Sequence, residues 1–167
     1  MDCDSLNDLY KSGGLNYLTN SLGEEADDVE IPEDPYEWYS NLGVDSCSLL
    51  YLVKLDTAYG ILAINEFDET TAKDLYGGNY EAMRAVIRQN AARINENGLF
   101  KECVVFVGLE TGFNECDEIA VFLPYKMAAE KAAELLKTID QMVYSNPSDS
   151  HSAANTGNPS TGGEGKK

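Results

Sequence analysis

Leu49-Leu50-Tyr51-Leu52-Val53-Lys54-Leu55, a turn over Asp56-Thr57-Ala58, then Tyr59-Gly60-Ile61-Leu62-Ala63-Ile64: this stretch decides the fold. Its first run is apolar at odd and even positions alike, Lys54 excepted, which predicts a strand buried on both faces and central in a sheet. The second run predicts a strand antiparallel to the first. A polar connection from Asn65 to Gly78 follows, with a short helical turn expected near Thr71 to Leu75 and a break at Gly77-Gly78.

A helix over 80–97 is the next expectation. Asn79 suits the N-cap because its side-chain oxygen can accept from a first-turn amide. Tyr80, Met83, Ile87, Ala91 and Ile94 recur at three- and four-residue spacing and form one apolar stripe. Gly98 then suits a left-handed exit.

The same order recurs in the second half. Glu102 to Leu109 reads as a β-branched strand, Thr111 to Asp117 as a turn region, and Glu118 to Leu123 as the partner strand. Pro124 ends that strand and suits the first turn of a helix running to about Tyr144. The fold class expected is α+β: a four-stranded antiparallel or mixed sheet from two β-β-α units (ββαββα), with both helices on one face.

Outside this 48–144 core, residues 1–47 form an acidic segment expected to pack on it. Leu6, Leu9, Tyr10 and Leu15 to Leu18 suit one or two short helices, and Ile31 to Leu42 an irregular stretch or short helix. Residues 145–167 have no apolar periodicity and read as a disordered tail.

Charge narrows the function. The 167 residues hold 29 Asp and Glu against 12 Lys and Arg, a net of −17, while 43 % hydrophobic content and ten tyrosines supply a core. Residues 1–47 carry −11 of that charge. Glu24, Glu25, Asp27, Asp28, Glu30, Glu33, Asp34 and Glu37 fall within fourteen residues without a base. Such a run repels nucleic acid and anionic membranes and attracts basic protein surfaces or, weakly and unselectively, cations. No apolar run is long enough to span a bilayer and Met1-Asp2-Cys3-Asp4 is unlike a signal peptide, so the expected setting is cytoplasmic.

Catalytic motifs are missing from the pattern. The one histidine, His151, lies in the tail, which removes triad and histidine-metal chemistry. Cys3, Cys47, Cys103 and Cys116 lack metal-ligand spacing and read as reduced, buried thiols. Glu110, Glu115, Asp117 and Glu118 cluster in the second hairpin loop and are the candidates for carboxylate catalysis, although a solvated loop explains them equally well. Arg84, Arg88 and Arg93 suit salt bridges to the surrounding acids better than a nucleic-acid footprint. The glycines match no phosphate-binding fingerprint, and neither a cofactor nor a metal is expected.

The reading left is a non-enzymatic module that binds a basic protein surface. Duplex DNA carries about one charge per 1.7 Å of axis. The acidic run, if extended at about 3.3 Å per residue, places one every 6 Å or so and needs other acids on the same face. In being small, acidic and free of catalytic motifs, the chain resembles inhibitors of restriction and CRISPR nucleases as a class. The alternative is a structural, assembly or toxin-neutralising protein anchored through Tyr36, Trp38 and Tyr39 beside the acids, unless that trio packs on its own sheet.

Overall fold

Strand-forming residues that are apolar on both faces need cover on both, and the architecture follows from that need. The computed structural model describes residues 5–26, 30–42, 46–108 and 117–145. Its elements are α1 (Ser5–Ser12), β1 (Leu15–Tyr17), α2 (Glu33–Ser40), β2 (Leu49–Leu55), β3 (Ala58–Phe67), α3 (Glu69–Tyr76), α4 (Tyr80–Glu96), a 3₁₀ turn (Gly98–Phe100), β4 (Val104–Gly108), β5 (Asp117–Pro124) and α5 (Ala129–Met142). The strands form one antiparallel sheet in the order β1-β2-β3-β5-β4.

The α+β class stands, but the sheet has five strands where four were expected. The additional strand is β1, taken from a region read as helical. Three residues carry no periodicity of their own; Leu15 to Tyr17 pair with Val53 to Leu55. The chain beyond them grips β2 further. Leu18 N–H donates to the Leu52 carbonyl at 2.7 Å, and Leu52 N–H donates to Thr19 Oγ1 at 2.8 Å.

One face of the sheet holds Ile61, Ala63, Ile119, Val121 and Leu123, packed against Met83, Ile87 and Ile94 of α4 and Leu135, Leu136 and Ile139 of α5. Burial of apolar area, at roughly 25 cal/mol per Å² removed from water, makes this layer a major stabilising contribution. The opposite face gathers Leu15, Val53, Leu62, Ile64, Phe106 and Phe122, with Leu9 of α1 packed on them. Helix α1 contacts both β1 and β4, the two edge strands, and so lies across that second face. The two helices of the β-β-α units, α4 and α5, thus share one face as expected, while α1 covers the other.

Other boundaries shift for local reasons. Strand β3 continues to Phe67, and the polar connection contains α3, capped by Asp68, whose carboxylate accepts from Thr71 N–H at 2.9 Å. Those hydrogen bonds hold the Asp68 carboxyl below its ordinary range. Gly77 and Gly78 take φ of +62° and +81° after α3, whereas Gly98 does not need a left-handed exit: Asn97 ends α4 in extended geometry. Pro124 closes β5 and leaves α5 to start at Ala129. Asn90, fully buried on α4, donates to the Val143 and Ser145 carbonyls and so satisfies the chain leaving α5.

Asn79 caps α4 as expected, its Oδ1 accepting from Ala82 N–H at 3.0 Å. Asn79→Ala is expected to cost about 1 kcal/mol of stability, read as a lower urea midpoint with an unchanged slope. A change below ~0.3 kcal/mol would mean that solvent replaces the cap without loss.

Candidate functional site

Five of the acidic residues sit on two mounts, a turn and α2. Glu24 and Glu25 belong to a tight turn in which Asn20 Oδ1 accepts from Leu22 and Glu24 N–H at 2.9 and 3.0 Å. The turn is closed by a bridge between Thr19 and Glu25 and by Gly23 at φ +86°. Glu33, Asp34 and Glu37 ride on α2, where the first-turn acids face the helix's partial positive charge. Pro35 sits where the amide has no intrahelical acceptor, so it costs no hydrogen bond. Glu24, Glu25, Glu30, Glu33, Asp34 and Glu37 are all exposed; Asp27 and Asp28 lie outside the described residues.

Of the aromatic trio, Trp38 and Tyr39 are half-buried and hold α2 to the body, while Tyr36 remains 39 % exposed. Trp38 Nε1 donates to the Met127 carbonyl at 2.8 Å, and its ring meets Tyr125 edge-on at 5.6 Å. Tyr39 hydroxyl reaches the Leu50 carbonyl at 3.4 Å. Gly23 stands beside the same phenol. The turn carrying Glu24 and Glu25 and the helix carrying Glu33 and Glu37 thus meet at one buried-edge tyrosine, whose pKa desolvation raises.

Because α2 is helical, its charges are closer along the axis than an extended chain allows. At about 1.5 Å rise per residue, Glu33 to Glu37 place three carboxylates at roughly one per 2.5 Å of axis. That approaches the DNA value over this short length.

At the start of α2 an open groove of about 500 Å³ is lined by Glu33 and Asp34 together with Tyr59, Tyr125 and Lys126. Pro32 and Pro35 also line it. Three chain segments far apart in sequence build it, and no local pattern announces it. Tyr59 ends up there as the first half-buried residue of β3, and Tyr125 follows the last residue of β5, its N–H bonded to the Tyr59 carbonyl at 2.8 Å.

The carboxylates considered for catalysis lie elsewhere. Asp117 and Glu118 belong to β5, not to a loop, and as successive strand residues they point to opposite faces. Asp117, 2 % exposed, pairs with Arg84 Nε at 3.0 Å. Glu118, 1 % exposed, lies directly across from Glu66 in the β3–β5 register. Neither oxygen of Glu118 has a hydrogen-bond partner among the described residues. Burial, with the Glu66 and Asp117 charges adding, pushes its pKa up to about 7. The strand reading contained the signal: Ala120 and Phe122 are apolar, so the face that Glu118 shares with them was bound to be buried. Glu110 and Glu115 lie outside the described residues, as does His151.

Arg93 bonds Asn90 and Ser145, so with Arg84 two of the three α4 arginines serve the fold. Cys103 is half-buried, its thiol pushed up to about 11 by desolvation, but Cys47 is exposed, contrary to the expected burial; Cys3 and Cys116 are outside the described residues. Among the described residues no group of three or more His, Cys, Asp or Glu could hold a metal ion, and no helix is long and apolar enough to cross a membrane. Comparison with family models, with characterised proteins and with solved structures gives no match.

Proposed function

We propose that this chain is a non-enzymatic acidic module that docks on a basic protein surface, and that its carboxylates stand in for a nucleic-acid backbone on a DNA- or RNA-binding protein. One observation carries the reading. Glu24 and Glu25 on the turn and Glu33, Asp34 and Glu37 on α2 are mounted on elements that meet at Tyr39, so ordering those acids costs the complex little entropy. A net charge of −17 steers the module toward basic grooves and away from phosphate.

The test is competition with nucleic acid for purified restriction and CRISPR nucleases. Binding is expected to weaken at least about tenfold between 50 and 200 mM salt, as a multi-charge contact requires. Glu24→Gln, Glu25→Gln, Glu33→Gln, Asp34→Asn and Glu37→Gln combined should abolish it. Tight binding that ignores salt but is lost in Tyr36→Ala or Leu22→Ala would favour the assembly or neutralising reading instead. Leu22, 80 % exposed beside the acids, is the observation that keeps that second reading in view.

A further inference from the structure

One buried group has no part in the docking surface. Glu118 is 1 % exposed, and neither of its oxygens has a hydrogen-bond partner among the described residues. Gly108 faces it from β4, where a Cβ would stand 3.0 Å from Glu118 Cγ, so the missing side chain is what admits the carboxyl. Glu66 faces it from β3. Two carboxyls opposed on a largely apolar face cannot both ionise without a large penalty, so one keeps its proton while the face stays shut.

We infer that this carboxyl pair is a pH-sensitive latch: protonated Glu118 lets β1 close over the second sheet face, and its ionisation releases β1 together with the turn that carries Glu24 and Glu25. The path from the pair to β1 runs through tyrosine rings. Tyr51 of β2 feels the charges of Glu66 and Glu118, and Tyr17 of β1 that of Glu118. The Tyr17 ring meets Tyr51 edge-on at 5.0 Å, and Tyr10 of α1 meets Tyr17 at 5.5 Å. Other charges stand further off. Asp117 adds its own from the opposite face, where Arg84 holds it. Lys54 of β2 alternates to that opposite face as well, and Asp8 and Lys11 of α1 are exposed.

Strand β1 is the place where the fold gives way. An ionised Glu118 needs water, and β3 and β5 are locked to each other over eight register pairs, whereas β1 holds β2 by three at the sheet edge. Partial openings of this kind cost less than global unfolding. The turn follows β1 because Ala26 N–H donates to the Leu18 carbonyl at 3.0 Å and Leu18 N–H to Leu52. The latch stands whether or not the acids dock on a partner; its effect on docking rests on the function proposed above.

Native-state hydrogen exchange in low urea tests it, with the Leu18, Asn20 and Ala26 amides read against those of α4 at pH 5 and 7.5. Burial and the neighbouring carboxylates put the Glu118 carboxyl at about 7 in the shut face, against 4.5 in an open one. The shut state therefore holds a proton across that window that the open state has lost. Corrected for intrinsic exchange, protection of the β1 and turn amides should fall about 50-fold between the two pH values and level off above. Urea should affect these amides less than those of α4, since a partial opening exposes less surface. In Glu118→Gln the fall should vanish; Glu118→Leu takes its place if that variant does not fold. A 50-fold fall retained without the carboxyl, or β1 and turn amides that share the urea dependence of α4, overturns the latch. Either result leaves the docking surface to its own salt test, while salt-blind binding with the latch intact would remove the docking reading alone.

Discussion

Glu118→Gln is expected to remove a stability loss of about 3 kcal/mol that the parent protein suffers between pH 4.5 and 7. In the unfolded chain this carboxyl ionises near 4.5; in the fold, sealed on the second sheet face, it ionises at about 7. Across that window the folded state holds a proton that the unfolded state has released. Stability therefore falls as pH rises, by about 1.4 kcal/mol per unit, and levels off above 7. Below 4.5 both states are protonated and the group contributes nothing. Glutamine keeps the shape without the ionisation, so urea midpoints of parent and variant should diverge across the window. Glu66→Gln removes the facing charge and should shrink the divergence without abolishing it, because desolvation is the larger cause. Parallel pH profiles for parent and Glu118→Gln would falsify the assignment of this loss to Glu118.

Gly60→Ala should cost about 3 kcal/mol, a large effect for one methyl. Gly60 pairs with Val53 on one side and Pro124 on the other, inside the sheet. The Phe122 ring lies diagonally over it, so a methyl at Gly60 would stand 2.5 Å from Phe122 Cζ and closer still to the Leu123 carbonyl oxygen. The ring cannot swing aside without opening the second core layer, and the carbonyl belongs to β5 backbone. This glycine is kept for close approach, not for turn geometry. Urea unfolding of Gly60→Ala measures the cost; a loss under ~1 kcal/mol would show that β3 and β5 can part locally.

Much of the sheet was legible because its signals are local. Strands β2 and β3 announce themselves by apolar runs flanking a two-residue turn, where Asp56 takes φ +55°. Helix α4 shows its stripe and its cap. Strand β1 was not legible: Leu15 to Tyr17 are strand only because β2 offers its edge and Thr19 completes the hydrogen bonding. Neither was the side that α1 takes, since the strands' apolar faces demand cover without naming its source. Among the proposed contacts, the acids of α2 are plain in the sequence. The groove is not, because Tyr59 and Tyr125 become neighbours only through sheet registry and Asp34 joins them only through the docking of α2. Trp38 and Tyr39 look alike in a sequence whether they face solvent or core; hydrogen bonds to Met127 and Leu50 decide it.

The placing of β5 between β3 and β4 also governs when the molecule can assemble. Strands β2 and β3 can zip together as soon as their turn is made, but β3 meets its other neighbour only about fifty or more residues downstream. Closing so large a loop is slow, because its entropy must be spent before any reward arrives. A nascent chain that has not yet delivered Asp117 to Pro124 therefore presents β3 with a bare hydrogen-bonding rim, and during synthesis that rim is the part most in need of shelter.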